Sequence, residues 1–209
     1  MIIAIDGPAA AGKGTLALRL AEHYHLHHLD TGLLYRAIGR QMEERGLDLD
    51  DPRAAGKVAR ALDPAELADP NVRGREAGEL ASRVSVHEPV RNALLKFQRD
   101  FAGQPGGAVL DGRDIGTAIC PRADVKIYVT ASPEVRALRR TNELRAKGRT
   151  VEFQRILGEV RERDARDSGR PVAPLKIAPD AHVIDTTHLN ADEAFAAALA
   201  VVEAARKAG

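Results

Sequence analysis

Apolar residues run together at the start of the chain, where Ile2 to Asp6 forms a near-continuous, largely β-branched segment that ends in an acid and a glycine. A run without alternation predicts a parallel strand buried on both faces. From about Gly12 to Tyr24 the spacing becomes that of a helix, through Leu16, Leu20 and Tyr24, so the opening reads strand, loop, helix. The same reading places a second strand ending near Asp30 and further strands at Ala108 to Asp111, Val125 to Thr130 and Ala181 to Asp185, separated by helix-type sequence. Ser132 before Pro133, and Asn190 three residues ahead of Glu193, are helix-start signals that each follow a strand. This alternation predicts an α/β fold, a parallel sheet flanked by helices on both faces.

Between Leu47 and Gly107 the pattern changes. Pro52, Pro64, Pro70, Pro89 and Pro105 punctuate helical or loop-like sequence without a strand, which predicts an inserted subdomain. A second interruption, "RAKGRTVEF", sets Gly148 and a basic cluster between two helical segments, as suits a short cover over a charged ligand. The expected organisation is one domain over 1–209, with a core at about 1–35 and 107–209, an acceptor-binding insertion at about 36–106 and a lid at about 146–170.

Composition narrows the partners. A net charge of +1 provides no global field for nucleic acid or an anionic membrane, and 3% aromatic content provides no stacking platform for single strands. The 31 basic residues comprise 24 Arg and 7 Lys; a guanidinium fork suits phosphate oxygens, with surface ion pairing as the alternative reading. Cys120 is the single cysteine and is read as packing, in keeping with a reducing compartment. The first apolar run lacks a basic start, and no stretch approaches the roughly 18 apolar residues of a membrane span. A cytoplasmic monomer acting on small molecules is the expectation, without nucleic-acid or membrane partners.

The segment Gly7, Pro8, Ala9, Ala10, Ala11, Gly12, Lys13, Gly14, Thr15 fits G-x-x-x-x-G-K-G-T between a predicted strand and a predicted helix. Such a P-loop turns successive N–H groups and the positive end of a helix dipole toward a polyphosphate. Lys13 would reach the β- and γ-phosphates, and Thr15 or its neighbour would face Mg²⁺. The loop implies a nucleoside triphosphate such as ATP, not a reaction.

Acceptor chemistry has to come from elsewhere in the chain. In "LDTGLLYR", Thr31 and Arg36 could converge on one phosphate, with Asp-Thr-Gly as a helix cap the alternative reading. "AVLDGRDIGT" delivers Asp111, Arg113 and Asp114 at the carboxyl edge of the sheet, where ligands of open α/β folds bind. Asp111 holds the place of a carboxylate acting on Mg²⁺ through water, and Arg113 and Asp114 could meet phosphate and an amino group; a core ion pair is the alternative. Arg163, Asp167 and Arg170 share a helix face and form either an arginine clamp or a solvated charged surface. The histidines of "HYHLHH" read as solvated or packing groups, not a metal site.

These segments carry a resemblance. Through "IAIDGPAAAGKGT", "LDTGLLYR", "ELASRVS", "VRNALLKFQR", "LDGRDIGT" and "RERDARDSGRPVAPL" the chain resembles the bacterial cytidylate kinases of the nucleoside monophosphate kinase family over nearly its whole length. The resemblance implies a P-loop kinase fold and ATP-dependent phosphorylation of CMP and dCMP. It implies that Ser82, Arg91 and Asp114 recognise cytosine, that Arg36, Arg113 and Arg170 bind phosphate near Thr31, and that Arg163 and Asp167 hold the ribose. Lys13, Arg113, Arg163 and Arg170 would be the catalytic cations, with Thr15 and Asp111 toward the metal. Another small-molecule kinase acting on UMP, AMP or a metabolite hydroxyl is the rival reading, and a slowly hydrolysing nucleotide switch the rival of another class. Family members often carry a longer, strand-containing insertion where this chain has "LDPAELADPNVR", Leu62 to Arg73.

Overall fold

β1 (Ile2–Asp6) is the central strand of a five-stranded sheet. In the computed structural model, which describes residues 1–69, 72 and 75–208, it is flanked by β3 (Ala108–Gly112) and β4 (Val125–Thr130). β2 (His27–Asp30) and β5 (His182–Asp185) form the edges, in the order β2-β3-β1-β4-β5, and every pairing is parallel. Register sets Asp6 opposite Gly112 and Asp30 opposite Asp111. The turns leaving β1, β2 and β3 therefore emerge side by side at the carboxyl edge, next to the strand about which the winding reverses.

Alternation of side chains across β1 divides the core. Ile3 and Ile5 pack against Leu16 and Leu20 of α1 (Lys13–Tyr24) and Ala198 and Val202 of α8 (Ala191–Ala208). Ala4, Leu29 and Leu110 face the other way, onto Ala102, Ile115 and Ile119. Burying one such aliphatic side chain stabilises by roughly 1.5–3 kcal/mol, so the edge that carries the site is held from both faces. The Asn190 start of α8 closes a complete capping box, with Asn190 Oδ1 accepting from Glu193 N at 3.0 Å and Glu193 Oε2 accepting from Asn190 N at 2.8 Å.

α2 (Thr31–Glu44), α3 (Pro52–Arg60), α4 (Arg75–Val84) and α5 (Glu88–Ala102) enclose a separate apolar cluster around Leu34, Ile38, Met42, Val58, Val84 and Leu94. Among the described residues this stretch contains no strand, as its pattern predicts. Its prolines open elements more than they break them. Pro52 and Pro89 stand in the first turns of α3 and α5, and Pro64 starts a 3-10 turn, Pro64–Ala68. Pro70 and Arg73, in the brief Leu62-to-Arg73 stretch, lie outside the described residues. α6 (Pro133–Ala146) and α7 (Phe153–Gly169) pack through Ala137, Leu144, Ile156 and Val160. Ser132 Oγ caps α6 as expected, accepting from Val135 N at 3.3 Å.

Candidate active site

The loop between β1 and α1 is shaped by close approach. Gly7 has φ +147°, and a Cβ there would lie 1.9 Å from the Val129 carbonyl oxygen, so only glycine passes the end of β4. Unlike α2, α3, α6 and α8, α1 starts without a side-chain cap, on Gly12. Its first amides are thus available to an anion. Lys13 is buried and donates from Nζ to the Pro8 carbonyl at 2.8 Å. Burial, then the charge of Arg113, pulls its pKa down to about 7 against the attraction of Asp111 and Asp30.

Across the edge, Thr31, Ser82, Arg91, Arg113, Asp114, Arg163, Asp167 and Arg170 line one narrow cavity of about 40 Å³. It adjoins a cleft of about 710 Å³ bounded by Ala9 and Ala10 of the loop, Arg36 and Arg163. Arg163 borders both spaces. Arg36 and Thr31 therefore open into neighbouring cavities, while the Thr31 hydroxyl donates to the Asp111 carbonyl at 2.8 Å. Asp30 also fills the capping role, accepting from Gly32 N at 2.9 Å.

In the narrow cavity four guanidinium groups, of Arg91, Arg113, Arg163 and Arg170, meet only two carboxylates, Asp114 and Asp167. Arg91 hydrogen-bonds Asp114, Arg170 Nη2 approaches the other oxygen of Asp114 at 3.4 Å, and Arg170 Nε donates to Ala173 O at 2.7 Å. Asp167 accepts from Arg113 Nε at 2.8 Å and stands 3.9 Å from Arg163 Nε. The i,i+4 partner on the same helix is thus the more distant one, and the tighter contact links α7 to the turn after β3. Burial raises the Asp167 pKa, but Arg113 and Arg163 outweigh it and the net shift is downward. Burial, then repulsion from Arg113, lowers Arg163 to about 10. Among the described residues, the buried Arg36 Nε, Ser82 Oγ and Arg163 Nε have no hydrogen-bond partner. Orphaned donors and surplus positive charge mark a site built for an anion with polar edges.

The cytidylate kinase family profile matches residues 3–204. The chain belongs to the cytidylate kinase family. It is 57% identical to the cytidylate kinase of Xanthobacter autotrophicus over 209 residues, covering 100% of both chains. It is 55% identical to that of Nitrobacter winogradskyi over 206 residues, covering 99% of this chain and 97% of the relative. A solved structure of an uncharacterised protein from Eubacterium ventriosum matches with a TM-score of 0.56 at 16% identity over 98% of both chains, a likeness of fold.

Several residues at this cytidylate kinase family site escape the sequence reading. Asp6 is buried and accepts from Ile115 N at 2.8 Å and Gly116 N at 2.7 Å. Burial pushes its carboxyl up to about 6, although both amides pull it down. An acid closing an otherwise apolar central strand was the available signal. Arg136, also buried, joins Ala131 O at 2.9 Å, Ala9 O at 3.3 Å and Asp164 at 2.9 Å and 2.5 Å; nothing in its helical context announces this. His28 is neither solvated nor simply packed, for its Nε2 lies 2.9 Å from Asp111 Oδ1. Tyr35 lies under the cavity with the Arg91 guanidinium 5.5 Å from its ring centre. A further cleft of about 270 Å³ beside the loop is lined by Gly12, Thr15, Arg139, Thr186 and Asn190.

Proposed function

We propose that this cytidylate kinase family member transfers the γ-phosphoryl group of ATP to CMP and dCMP, giving ADP with CDP or dCDP. The observation that carries the reading is the surplus of guanidinium over carboxylate in the narrow acceptor cavity, which shares Arg163 with a cleft bounded by Ala9 and Ala10 of the loop ahead of the uncapped α1. An α-phosphate oxygen of the acceptor attacks Pγ in line as the bond from Pγ to the β-bridging oxygen breaks. That oxygen is already a competent nucleophile, so the protein positions and neutralises without a strong base. Gly7 to Thr15 cradle the donor phosphates, and the Arg139 to Asn190 cleft accommodates the donor base. Lys13, Arg113, Arg163 and Arg170 balance the charge that spreads over the transferring group, and Arg36 joins them on phosphate.

Cytosine offers an amino donor beside ring and carbonyl acceptors. Asp114 would accept from the amino group, while Arg91 and the Ser82 hydroxyl would serve the acceptors. Asp167 and Arg163 are assigned to the ribose, Thr31 to the phosphate side. Uracil presents an oxygen where cytosine has its amino group and would set one acceptor against another at the Asp114 carboxylate, a basis for rejection. Thr15 and Asp111, the latter through water, are assigned to Mg²⁺. So sparse an oxygen set suits an ion that keeps waters and phosphate oxygens, and among the described residues no cluster of three or more His, Cys, Asp or Glu could hold a metal. The ion would supply charge neutralisation at the phosphates.

The division into core (about 1–35 and 107–209), acceptor-binding insertion (about 36–106) and lid (about 146–170) is supported by the separate apolar clusters of α2 to α5 and of α6 with α7. A cytoplasmic monomer without nucleic-acid or membrane partners completes the proposal. It is supported by the balanced charge, and no described helix is long and apolar enough to cross a membrane. The decisive experiment measures ADP formation from ATP and Mg²⁺ with each monophosphate in turn. CMP and dCMP should far exceed UMP and AMP; turnover led by UMP or AMP would reject the base assignment.

A further inference from the structure

Asp114 occupies the N-cap position of a one-turn π-helix, Ile115–Ile119, and its side chain makes no capping bond there. A carboxylate in that position ordinarily folds back to accept from amides one to three residues further on. In this protein the first two of those amides are already taken. Ile115 N and Gly116 N donate to Oδ1 and Oδ2 of Asp6, at 2.8 Å and 2.7 Å, from the end of a different strand.

We propose that Asp6 is a positioning residue that caps this turn from outside it and thereby releases the Asp114 carboxylate to face the acceptor base. The inference rests on the reading of Asp114 as the base-recognising carboxylate. Three further observations support it. The freed Asp114 oxygens are turned away from their own turn, to Arg91 and Arg170. Lys126, whose stem borders Gly116, is engaged by Pro121 O and Asp180 and so leaves Asp6 to the amides. An acid at the end of the central buried strand is costly to desolvate, and an apolar residue would serve packing at lower cost. Asp6 also directly precedes Gly7, so one residue fixes the spacing between the donor loop and the base reader.

The test is nucleobase discrimination, the ratio of kcat/KM for CMP to that for UMP, because a merely structural tie would depress both alike. Asp6→Ala should lower the ratio about tenfold, the equilibrium counterpart of one lost cap, chiefly through KM for CMP. Asp6→Asn, which keeps one acceptor oxygen, should fall between Asp6→Ala and the parent. Melting temperatures identify folded variants, and if Asp6→Ala does not fold, Asp6→Asn decides. Asp114→Ala runs alongside: an unchanged ratio there means that the base assignment itself fails. If Asp114→Ala collapses the ratio while Asp6→Asn retains it, or loses activity equally with both nucleotides, the outside cap is overturned.

Discussion

Lys13 sets a buried ammonium against a carbonyl of its own loop, with Arg113 adding repulsion, and together these hold its pKa near 7 instead of the ordinary 10.5. A polyphosphate placed against that ammonium supplies the opposite charge and returns the pKa toward its ordinary range. Above pH 7 and below the ordinary lysine value, ATP binding should therefore take up a proton, approaching one per site at about pH 8.5. Titration calorimetry in two buffers of different ionisation enthalpy reads this number directly, and Lys13→Met should show none of it. The same variant should lose about 10³-fold or more in turnover, the scale of removing a cation from a transferring phosphoryl group, while its far-ultraviolet circular dichroism stays that of the parent. At this scale the donor loop is the most legible part of the candidate site, since Lys13 stands in a motif whose chemistry follows from residue type and place. Arg113 and Asp114 can also be read as a core ion pair and Asp167 as part of a solvated helix face, and it is the fold that brings the three to one cavity. Asp6 and Arg136 do not stand out because their partners lie 109 to 127 residues away for the amide of Ile115 and the carbonyl of Ala9, separations that no local pattern encodes.

Among the elements, the strands are the most legible. A parallel strand covered on both faces has to be largely apolar, and β1 and β3 are so up to their closing acids Asp6 and Asp111, while β4 admits a single charged residue, Lys126. The π-turn at Ile115–Ile119 is not legible, since a single turn has no periodicity of its own and this one is set by an acid on β1. The prolines of the α2 to α5 stretch can be read as punctuation, but whether each opens a helix or ends one depends on caps such as Asp51, which accepts from Arg53 N at 2.8 Å. Element positions also depend on Arg136, which fastens α6 to α7 through Asp164 and both to the donor loop through Ala9. Its guanidinium is only 3% exposed, so Arg136→Met should cost about 3 kcal/mol, the lower end for breaking a buried pair. Urea unfolding would measure that loss. The KM for ATP should rise in the same variant, since the crown of the loop loses its tether; an unchanged KM would mean that Ala9 holds its place unaided.

Across the whole molecule, stability and function oppose each other at the acceptor cavity. Guanidinium groups brought close without enough carboxylates repel one another, and burial then depresses Arg163 to about 10. Its closest carboxylate, Asp167, is 3.9 Å away and is better engaged by Arg113, so little attraction is lost if the charge is removed. Arg163→Met keeps an apolar stem in the same space and should stabilise the protein, measured without nucleotide, by about 1 kcal/mol, or roughly 2–4 °C in melting temperature for a chain of this size. Turnover should fall by orders of magnitude in the same protein, as expected where a functional site retains unfavourable charge. Adding CMP reverses the comparison. The dianion relieves the repulsion in the parent and raises its melting temperature by linkage, whereas Arg163→Met has less to relieve and should gain less. A melting temperature that falls in Arg163→Met without nucleotide would mean that Arg163 already contributes net attraction, and the excess of positive charge at the acceptor cavity would then not be the strained feature on which anion binding draws.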